Sequence, residues 1–551
     1  MEQTTANSGR VMELATAPPL GVIDPSSIFV PPVSFESHYP IRSTKVIISK
    51  SFKRRGLVPS TCRDNRCLVQ WTPRSRVSFD RAHSNTLMTS SFFINQGLTH
   101  KDRLFAAHSS PGISRCGVPE THTVPPYSTA EELVRIVRDL VNAREHDGSD
   151  HEQSPTTPPI DGWILKHGQV NNALGLLVFQ DVNELASRLE IREDKGTSSK
   201  ETISFHACTT KSVLQEYIVD PLLLGGRKFH LRVNVLVTGG DLSSSIGGVG
   251  AEEGDDGGGR KSTEDDADDA DDADYADDAD DVVDADDAAV RRRKPQGFVH
   301  RDIVAHVATE SYRATDWDDR WVHVTNHGVQ KDHPKYNRSE QTLSLFELEK
   351  ALVNEYGESW LGCGEMFLMQ ASSIVRSVLS VGVDRPGDFR PMSNCFEIFG
   401  FDFVPKRIEK VVEDDGDADG AAQCSEPPFQ LQLLEVNGGP ALEGVARPDL
   451  CVNIVEDVMK MVIDPFLKKC YAGVAEKEEG GDDKKGEVLQ HGTEFVKVWE
   501  RGRERIVGGE QPYSVCFQTP LLASDKLVAF GRRLVQHLRD APESSEEEED
   551  I

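Results

Sequence analysis

Residues 395–404 read CFEIFGFDFV and residues 431–442 read LQLLEVNGGPAL, and both apolar segments carry oxygen ligands. Each segment predicts a buried strand, the first with Asp402 and the second with Glu435 and Asn437. Because side chains alternate along a strand, Glu435 and Asn437 point to the same face. Two carboxylates and an amide oxygen suit Mg²⁺, which often shares its ligand shell with substrate phosphates. The two strands therefore predict a sheet that carries a magnesium site.

The residues around these ligands fit the same interpretation. By the same alternation, Leu431 and Leu433 precede Glu435 on its face, so an apolar strand delivers the carboxylate to one spot. The Gly-Gly-Pro turn at 438–440 lets the backbone approach a ligand closely. The alternative interpretation is a pair of buried strands that end in polar residues.

Length and composition describe a large protein without secretion or membrane signals. The chain has 551 residues, 38% of them hydrophobic, which is enough for two or three domains. No apolar run approaches the roughly 18 residues of a membrane helix, and the N-terminus lacks the pattern of a secretory leader. The ten cysteines are scattered, without zinc spacing or a plausible Cys/His nucleophile arrangement. We therefore expect reduced thiols, a cytoplasmic protein and no membrane partner.

The acidity of the chain is concentrated in two low-complexity segments. The formal net charge is −30, but residues 264–288 hold 15 acidic residues and no basic one, and residues 543–550 hold six more. The rest of the chain carries −9. Such segments repel themselves and cannot bury a core, so we expect them to be disordered.

Residues 42–76 have the opposite character, with ten Lys or Arg and a single acid, Asp64. Such a segment can steer an acidic partner towards the protein. The alternative is an ordinary solvated surface. No recognised nucleic-acid module surrounds the segment, so nucleic acid is not an expected partner.

Composition shifts and turn signals divide the chain into consecutive parts. The predicted parts are a disordered N-terminus (1–35), a basic N-terminal domain with its linker (36–158), a core (159–471) with an acidic insertion (241–297), a linker (472–492), a C-terminal helical segment (493–540) and an acidic tail (541–551).

Apolar periodicity predicts the elements of the core. A capping box at Ser128 and Glu131 begins a helix. The predicted strands are 163–166, 174–179, 213–219, 229–237 and 298–307, and the predicted helices are 344–355, 363–382, 453–469 and 523–540. The run 298–307 pairs with 229–237, so the acidic insertion lies in a hairpin connection, where long loops cost little. Strands followed by helices indicate a mixed α/β or α+β fold.

The strand RKFHLRVNVLV (227–237) places a cationic row opposite an apolar row. Lys228, His230 and Arg232 share one face, where cations are costly unless they meet anions or solvent. Phosphate is the obvious anion, and the planar fork of an arginine suits it. Arg301 lies on the partner strand and could join Arg232. The alternative is a solvated basic face at the edge of a sheet.

Three shorter segments fit parts of a nucleotide site, each weakly by itself. Lys166 ends the strand WILK before a loop, and a unit of strand, lysine, loop and strand can cover phosphates. The segment LQEYIVDPLLL could form an adenine pocket, with backbone groups near 215–218 reading the base. In HVTNHGVQK, Thr325 and Asn326 could hydrogen-bond phosphate or metal-bound water. Buried strands and polar loops of other proteins would contain similar residues by chance.

Taken together and in order, five strings resemble the tubulin–tyrosine ligase family, a branch of the ATP-grasp ligases. They are WILK, LQEYIVDPLLLGGRKFHLRV, HVTNHGVQK, CFEIFGFDF and LLEVNGGPAL, with a weaker echo in SSFFINQGLTHKDRL. The strings HVTNH and EVNGGPA are closer to the tyrosine ligase than to its glutamylase relatives. The resemblance covers residues 160–460 and implies an α+β ATP-grasp fold and an association with the cytoskeleton.

The resemblance also implies an ATP- and Mg²⁺-dependent carboxylate–amine ligase. ATP would phosphorylate a carboxylate of an acidic tubulin tail, and the amine of a free amino acid, tyrosine first, would displace the phosphate. The basic N-terminal segment would attract that tail. By this resemblance, Lys166 and Lys228 would bind the ATP phosphates, and Gln215, Tyr217 and Ile218 would surround the adenine. Thr325 and Asn326 would contact the nucleotide. Arg232 and Arg301 would stabilise the transferring phosphoryl group, and Asp402, Glu435 and Asn437 would bind Mg²⁺.

The chain departs from the family pattern at three positions. The family usually has Lys where this chain has Glu216, Asp where it has His230, and Gly where it has Ala173. Glu216 reverses a charge beside the adenine, and His230 removes a carboxylate from the phosphate-facing row. Because the metal ligands and both arginines remain, we expect an active enzyme. The alternatives are a polyglutamylase or glycylase, and a degenerate tubulin-binding protein of the same fold.

Overall fold

The computed structural model describes residues 33–60, 67–83, 86–108, 117–146, 162–167, 176–194, 208–240, 294–408, 428–442, 446–475 and 493–501. In these ranges the chain forms three sheets with helices packed around them, which confirms the α+β class. The acidic insertion proper, Ala173, the predicted helix at 523–540 and the acidic tail lie outside the described residues.

The strands in chain order are β1 (Ser34–Ser37), β2 (Val58–Pro59), β3 (Cys67–Trp71), β4 (Met88–Thr89), β5 (Thr121–Val124), β6 (Trp163–His167), β7 (Leu176–Phe179), β8 (Ser212–Glu216), β9 (Leu223–Leu224), β10 (Arg227–Thr238), β11 (Gln296–His300), β12 (Val304–Val307), β13 (Thr342–Ser344), β14 (Phe396–Arg407), β15 (Phe429–Gly438) and β16 (Phe495–Glu500).

The α-helices are α1 (Arg42–Arg54), α2 (Phe79–His83), α3 (Gln96–Thr99), α4 (Lys101–His108), α5 (Ala130–His146), α6 (Val182–Asp194), α7 (Arg320–His323), α8 (His327–Gln330), α9 (Leu345–Tyr356), α10 (Cys363–Val383), α11 (Pro448–Val458) and α12 (Asp464–Ala475). Short 3₁₀ turns lie at Arg74–Arg76 and Glu358–Trp360, and a π-helical turn, Met459–Ile463, joins α11 to α12.

The N-terminal sheet is parallel, in the order β2-β1-β3-β4. Helix α1 is amphipathic and buries Ile48 and Phe52 in a cluster that also contains Ile454 and Val455 of α11. This packing ties the basic segment to the C-terminal helices, and the exposed side of α1 carries cations such as Lys53.

The second sheet is antiparallel, in the order β5-β8-β6-β7. One face packs on α5 and α6, and Trp163 and Leu165 of β6 lie in that core. Helix α5 begins one residue later than predicted, because the Thr129 hydroxyl accepts from the Glu132 N–H at 3.2 Å. The Glu132 carboxylate in turn accepts from the Ser128 N–H at 2.8 Å. Two overlapping capping motifs fit this sequence equally well, and spacing alone did not separate them.

The central sheet is built around β10, with β14 and then β15 on one side and β11 and β12 on the other. Phe229, Leu231 and Val233 of β10 are fully buried in the main core. The two-residue turn between β9 and β10 is made by Gly225 and Gly226, both with positive φ, as a tight hairpin requires. The cationic side chains of β10 lie on the face of the sheet opposite this core.

Several predicted elements need correction. The pairing of 298–307 with 229–237 is confirmed, but a turn closed by the Ile303 N–H and the Arg301 carbonyl splits the run into β11 and β12. The strand predicted to reach Val219 ends at Glu216. The C-terminal segment begins with β16, which pairs with β11, rather than with a helix. Helices α9 and α10 confirm the predictions for 344–355 and 363–382.

The segment Glu358–Val383 corrects a further expectation. Its length and mean hydropathy of 1.4 are sufficient for a membrane span, although the sequence was expected to contain no such run. Half of the span is buried within the protein, and Phe367, Ala371 and Val375 pack against the central sheet. We therefore interpret α10 as the core helix of the central sheet.

Candidate active site

A cleft lies between the second sheet and the polar face of the central sheet, and its empty space, counted together with open solvent, is about 790 Å³. Nine of the twelve predicted site residues line it: Lys166, Gln215, Tyr217, Ile218, Lys228, Thr325, Asn326, Asp402 and Glu435. Arg232 and Asn437 hydrogen-bond to Asp402. Eleven predicted residues therefore meet at one place, although they come from segments up to 271 positions apart, Lys166 to Asn437.

Asp402 and Glu435 are paired across neighbouring strands in the register of β14 and β15. The register shifts directly after this pair, so that Phe403 pairs with Leu433 and Leu434 is an extra residue. This bulge corrects the predicted alternation, because Leu431 and Leu433 face the main core and not the cleft. Bulges of this kind redirect side chains near functional sites.

Asn437 lies between the two carboxylates. Its Nδ2 is 3.1 Å from Asp402 Oδ2 and 3.1 Å from Glu435 Oε1. A point equidistant from two carboxylate oxygens favours a cation, and rotation of the amide would present its oxygen to that point. Among the described residues, no group of three or more His, Cys, Asp or Glu could hold a metal, so an ion here would use two carboxylates and one amide. This donor set fits Mg²⁺.

Arg232 makes a two-pronged contact with Asp402. Its Nε donates to Oδ1, and its Nη2 donates to Oδ2 at 2.9 Å. The side chain crosses over Gly400, where a Cβ would lie 2.9 Å from Arg232 Cδ and 2.9 Å from Pro440 Cβ. Burial raises the pKa of Asp402 and the charge of Arg232 opposes that shift. Gly400 is therefore required for the arginine to reach its partner.

Glu435 has a cationic partner that the sequence analysis did not identify. Lys101, at the start of α4, places Nζ 2.9 Å from Glu435 Oε2 and is 5% exposed. Burial would raise the pKa of Glu435, but the charge and hydrogen bond of Lys101, supported by Lys166, lower it to about 2. Lys101 lies in the string SSFFINQGLTHKDRL, whose weak resemblance was the only available signal.

The Lys166 ammonium lies among neutral groups. Its Nζ donates to Gln215 Oε1 at 2.6 Å and to the Leu434 carbonyl at 3.3 Å. Burial lowers the pKa of Lys166 to about 8, against the opposing charge of Glu435. The Gln215 amide nitrogen donates to Thr121 Oγ1 at 3.0 Å, so its side chain fixes the lysine in place.

Lys228 heads a chain of hydrogen bonds. Its Nζ donates to the Tyr217 hydroxyl at 2.9 Å, and that hydroxyl lies 2.7 Å from His323 Nδ1. His323 Nε2 lies 2.7 Å from the Asp316 carbonyl, which fixes the proton on Nε2. Burial, with the charge of Lys166, lowers the pKa of Lys228 to about 7. His323 was not predicted as a site residue, because only the fold aligns it with Tyr217.

The adenine-recognition prediction fits the main chain at 216–218. The N–H groups of Glu216 and Tyr217 donate to the carbonyls of Glu120 and Gly162. Within the described part of the chain, the main chain of Ile218 makes no hydrogen bond to the protein. Ile218 therefore offers main-chain polar groups at the cleft, with Ile164 and Val404 among its apolar walls.

The loop HVTNHGVQK contributes two side chains in different ways. Thr325 Oγ1 lies 2.6 Å from His230 Nδ1, and His230 stacks on His306 with ring centroids 4.8 Å apart. The Asn326 side chain accepts from the Gly328 N–H and caps α8. The Asn326 oxygen therefore holds the loop, and its amide nitrogen is the group left to face a ligand.

Arg301 lies away from the cleft in which the sequence placed it, and Glu216 lies in the cleft with a cationic partner. Arg301 does not line the cleft, and its Nη1 donates to Glu365 Oε2 at 2.9 Å near the start of α10. Its predicted catalytic role stays a prediction. Glu216 does line the cleft, and Lys406 lies 3.4 Å from its Oε1, which offsets the reversed charge.

Comparisons with known proteins show which family the chain resembles. A model of the tubulin-tyrosine ligase family matches residues 90–243 and 290–470. A probable tubulin–tyrosine ligase of Schizosaccharomyces pombe is 21% identical over 72% of this chain and 83% of its own length. The probable tubulin polyglutamylase TTLL9 of Bos taurus is 21% identical over 59% of this chain and 61% of its own length. The probable tubulin polyglutamylase TTLL2 of Mus musculus is 22% identical over 54% of this chain and 38% of its own length.

The matched residues include both buried lysines, Arg232 and the carboxylate pair, and they span more than half of the sequence. This chain belongs to the tubulin–tyrosine ligase family.

Proposed function

We propose that this protein is an ATP- and Mg²⁺-dependent ligase that joins a free amino acid to a carboxylate of an acidic tubulin tail. The observation that carries the proposal is the convergence of Lys166, Lys228 and Arg232 with the pair Asp402 and Glu435 in one cleft. Cations and carboxylates together suit a polyphosphate held with a divalent ion. Family membership supports an amide-forming ligase that uses ATP.

The two buried lysines bind the phosphates of ATP. Each ammonium has neutral hydrogen-bond partners, Gln215 for Lys166 and Tyr217 for Lys228. Burial without a bound anion disfavours the charged form, which is why both pKa values are lowered. Phosphate oxygens restore the missing counter-charge, so nucleotide binding gains from ion pairs that the free protein lacks.

Asp402, Glu435 and Asn437 are the residues that would hold Mg²⁺. The ion, when bound, supplies charge that neutralises the phosphates during transfer. Lys101 and Arg232 hold the two carboxylates in place before any ligand binds, and Lys101 favours the ionised form of Glu435. Preformed positions of this kind are the basis of electrostatic catalysis.

The reaction follows from these positions. A carboxylate oxygen of the tubulin tail attacks the γ-phosphorus, the bond to ADP breaks, and an acyl phosphate forms. The amine of the incoming amino acid then attacks the acyl carbon, phosphate leaves, and the nitrogen loses a proton. Arg232 lies beside Asp402 and stabilises charge on the transferring group.

The basic N-terminal segment supports an acidic acceptor. Arg74 and Arg76 are exposed, and no carboxylate of the described residues lies within salt-bridge distance of either. Arg74 donates to Asn95 Oδ1 at 3.1 Å, and Asn95 lies beside Gly438, next to the ligand Asn437. In contrast, Arg55 pairs with Glu456 and Asp464, so part of the segment is structural.

Tyrosine is the amino acid we propose first, because of the strings HVTNH and EVNGGPA and the likeness to the yeast protein. Glutamate is the second candidate, since several relatives carry polyglutamylase names.

The test is incorporation of labelled tyrosine, glutamate and glycine, each separately, into detyrosinated tubulin with ATP and Mg²⁺. Tyrosine incorporation that is lost in Glu435→Gln and kept in Glu456→Gln is the expected result. Glu456 is a matched control, because it is hydrogen-bonded and lies outside the cleft. Glutamate or glycine incorporation would change the amino acid and keep the reaction. No incorporation by folded protein that binds tubulin would reject the ligase.

A further inference from the structure

Glu397 on β14 is a buried carboxylate that does not line the cleft. The residue is 4% exposed, and both of its carboxylate oxygens accept hydrogen bonds from the N-terminal part of the chain. Glu397 Oε2 accepts from the main-chain N–H of Phe92 at 2.9 Å, and Oε1 accepts from Asn95 Nδ2 at 2.8 Å. The carboxylate therefore joins the central sheet to the segment that precedes α3.

The orientation of the Asn95 amide explains why position 397 needs a carboxylate. Asn95 Oδ1 accepts from Arg74 Nη1 at 3.1 Å, so Nδ2 is the atom that faces Glu397. Two donors, the N–H of Phe92 and Asn95 Nδ2, therefore meet at one side chain. A carboxylate accepts from both, whereas a glutamine would place its own amide nitrogen against one of them. A donor left unpaired in this buried place would destabilise the arrangement.

The same contacts favour the ionised form of Glu397. Burial raises the pKa of Glu397 to about 7, against the hydrogen bonds from Phe92 and Asn95 and the charge of Arg74. At about pH 8 the carboxylate therefore predominates, and both of its hydrogen bonds are formed.

The end of β15 packs directly on this pair of residues. A Cβ added to Gly438 would lie 3.4 Å from Glu397 Oε1 and 3.8 Å from Asn95 Nδ2. It would also lie 3.1 Å from Thr99 Cγ2, so little space remains around this glycine. Gly438 directly follows Asn437, one of the three residues that would hold Mg²⁺. A shift of Glu397 or Asn95 therefore displaces the main chain next to Asn437.

A second route leads from Asn95 to the cleft through Lys101. The Asn95 carbonyl accepts from the Thr99 N–H at 3.2 Å, which closes the short helix α3. Lys101 follows Thr99 by two residues and begins α4, from which its Nζ reaches Glu435 Oε2 at 2.9 Å. Glu397 and Asn95 are therefore linked to the residues that would hold Mg²⁺ by two separate sets of contacts.

We propose that Glu397 is a positioning residue for these Mg²⁺ ligands. Through Asn95 it fixes the end of β15 and the segment that leads to α4, and so holds Asn437 and Glu435 in their places beside Asp402. Glu397 acts through its neighbours, because it lies outside the cleft. The inference rests on the proposed function, since it gives Glu397 a part in the binding of ATP with Mg²⁺.

The experiment measures the Mg²⁺ response of the full chain, which is the Kd of ATP after chelation divided by the Kd with Mg²⁺ present. Calorimetric titration at about pH 8 keeps Glu397 ionised. Glu397→Gln should reduce the response by at least about fivefold, because Asn95 must lose its contact with position 397 or with Arg74. Asn95→Asp should also reduce it, because two buried carboxylates would face each other.

The double variant, Glu397→Gln with Asn95→Asp, exchanges donor and acceptor and should rescue the response. The introduced glutamine can accept from the Phe92 N–H and donate to the introduced aspartate, which can still accept from Arg74. We expect the response of the double variant to lie within about twofold of the wild type.

Glu349 is a matched control for the loss of a buried double acceptor. It is 1% exposed and accepts from the N–H groups of Gly362 and Gly364, at 2.8 and 2.9 Å, away from the cleft. Glu349→Gln should lower the midpoint of urea denaturation and leave the Mg²⁺ response unchanged. Asn95→Ala is a milder variant in case Glu397→Gln does not fold, because the Asn95 side chain does not cap α3, and it should also reduce the response.

Three outcomes would overturn the proposal. One is a wild-type Mg²⁺ response in folded Glu397→Gln or Asn95→Ala. Another is an equal loss of response in Glu349→Gln, which would assign the effect to general destabilisation. The third is a double variant that is no better than either single variant. Folded wild-type protein without any Mg²⁺ response is a distinct result, because it would reject the proposed function and this inference with it.

Discussion

The two ends of the cleft treat buried charge in opposite ways. At the lysine end, which is Lys166 and Lys228, each ammonium donates to a neutral group. At the carboxylate end, Asp402 and Glu435 are each paired with a cation, Arg232 and Lys101 in turn. All of these residues except Arg232 and Glu435 are at most 5% exposed.

The pKa values of Lys228 and Glu435 follow this difference, whereas burial raises that of Asp402 against the charge of Arg232. Burial lowers the pKa of Lys228 to about 7, whereas its ionic partner lowers that of Glu435 to about 2 in spite of burial. The carboxylate end is therefore preorganised in the free protein, and the lysine end is incomplete until an anion binds. Ligand binding should change the lysine end most, and mutation should destabilise the carboxylate end most.

The largest contrast is expected between Arg232→Met and Lys228→Met. Removal of Arg232 leaves Asp402 buried without its cation, so the free energy of unfolding should fall by about 3–5 kcal/mol. Lys228→Met removes a buried ammonium that lacks an ionic partner, so it should not lower that free energy. Urea denaturation measures both. An equal loss of stability in the two variants would remove the distinction between the ends.

The second prediction concerns affinity at the lysine end. Lys166→Met should raise the Kd of ATP by roughly 10- to 100-fold, because it removes one or two charge-assisted hydrogen bonds to phosphate. Lys53→Met, in the exposed row of α1, is the matched control and should leave the Kd unchanged. Calorimetric titration is the measurement. An unaltered Kd in Lys166→Met would exclude this lysine from the phosphate site.

The third prediction uses pH. In the free protein the pKa values are about 8 for Lys166 and about 7 for Lys228, so above these values ATP must bind together with protons. The affinity for ATP should then fall by at least about tenfold from pH 7 to pH 9. In Lys228→Met the affinity for ATP should change less with pH. An affinity of the wild type that does not change from pH 7 to pH 9 would contradict the account.

The same two lysines should also make the stability of the ligand-free protein depend on pH, in the direction opposite to that of the ATP affinity. Both lysines have folded pKa values below their unfolded value, so between pH 7 and pH 10 the unfolded chain binds more protons. The contribution of these two lysines to the free energy of unfolding of the ligand-free protein should therefore rise with pH in that window. Urea titrations with and without Lys228→Met isolate the contribution of one group.

The smallest effect is expected at Asn326, which caps α8 beside the cleft. Asn326→Ala should lower the free energy of unfolding by about 1 kcal/mol, and Asn326→Asp should restore it. Thermal unfolding of the three proteins is the measurement. A loss of ATP affinity in Asn326→Ala with no loss of stability would instead favour direct contact with nucleotide.

Asp402, Glu435 and Asn437 were accessible to sequence reasoning, because apolar strands with period-two polar residues are local patterns. The bulge at Leu434 was not, since one extra residue leaves the apolar run unchanged but reverses the face of Leu431 and Leu433. The residues that meet at the carboxylate end were therefore predicted together, with an incorrect account of the strand, and their role as metal ligands stays a prediction. Registers depend on pairing, which a single segment does not encode.

Residues that act through long-range contacts were missed for the same reason. Lys101 reaches Glu435 from 334 positions away, and His323 reaches the Tyr217 hydroxyl from 106 positions away. Arg301 was assigned to the cleft because an uninterrupted strand would align it with Arg232. The turn at 301–303 breaks that strand and leaves Arg301 with Glu365.

The most direct test of the central claim is calorimetric titration of the full chain with ATP, with Mg²⁺ present and after its chelation. The account predicts binding that weakens when Mg²⁺ is removed, and a Glu435→Gln variant that no longer responds to Mg²⁺. Folded wild-type protein that fails to bind ATP with Mg²⁺ present would contradict the account, as would a variant that keeps the full response.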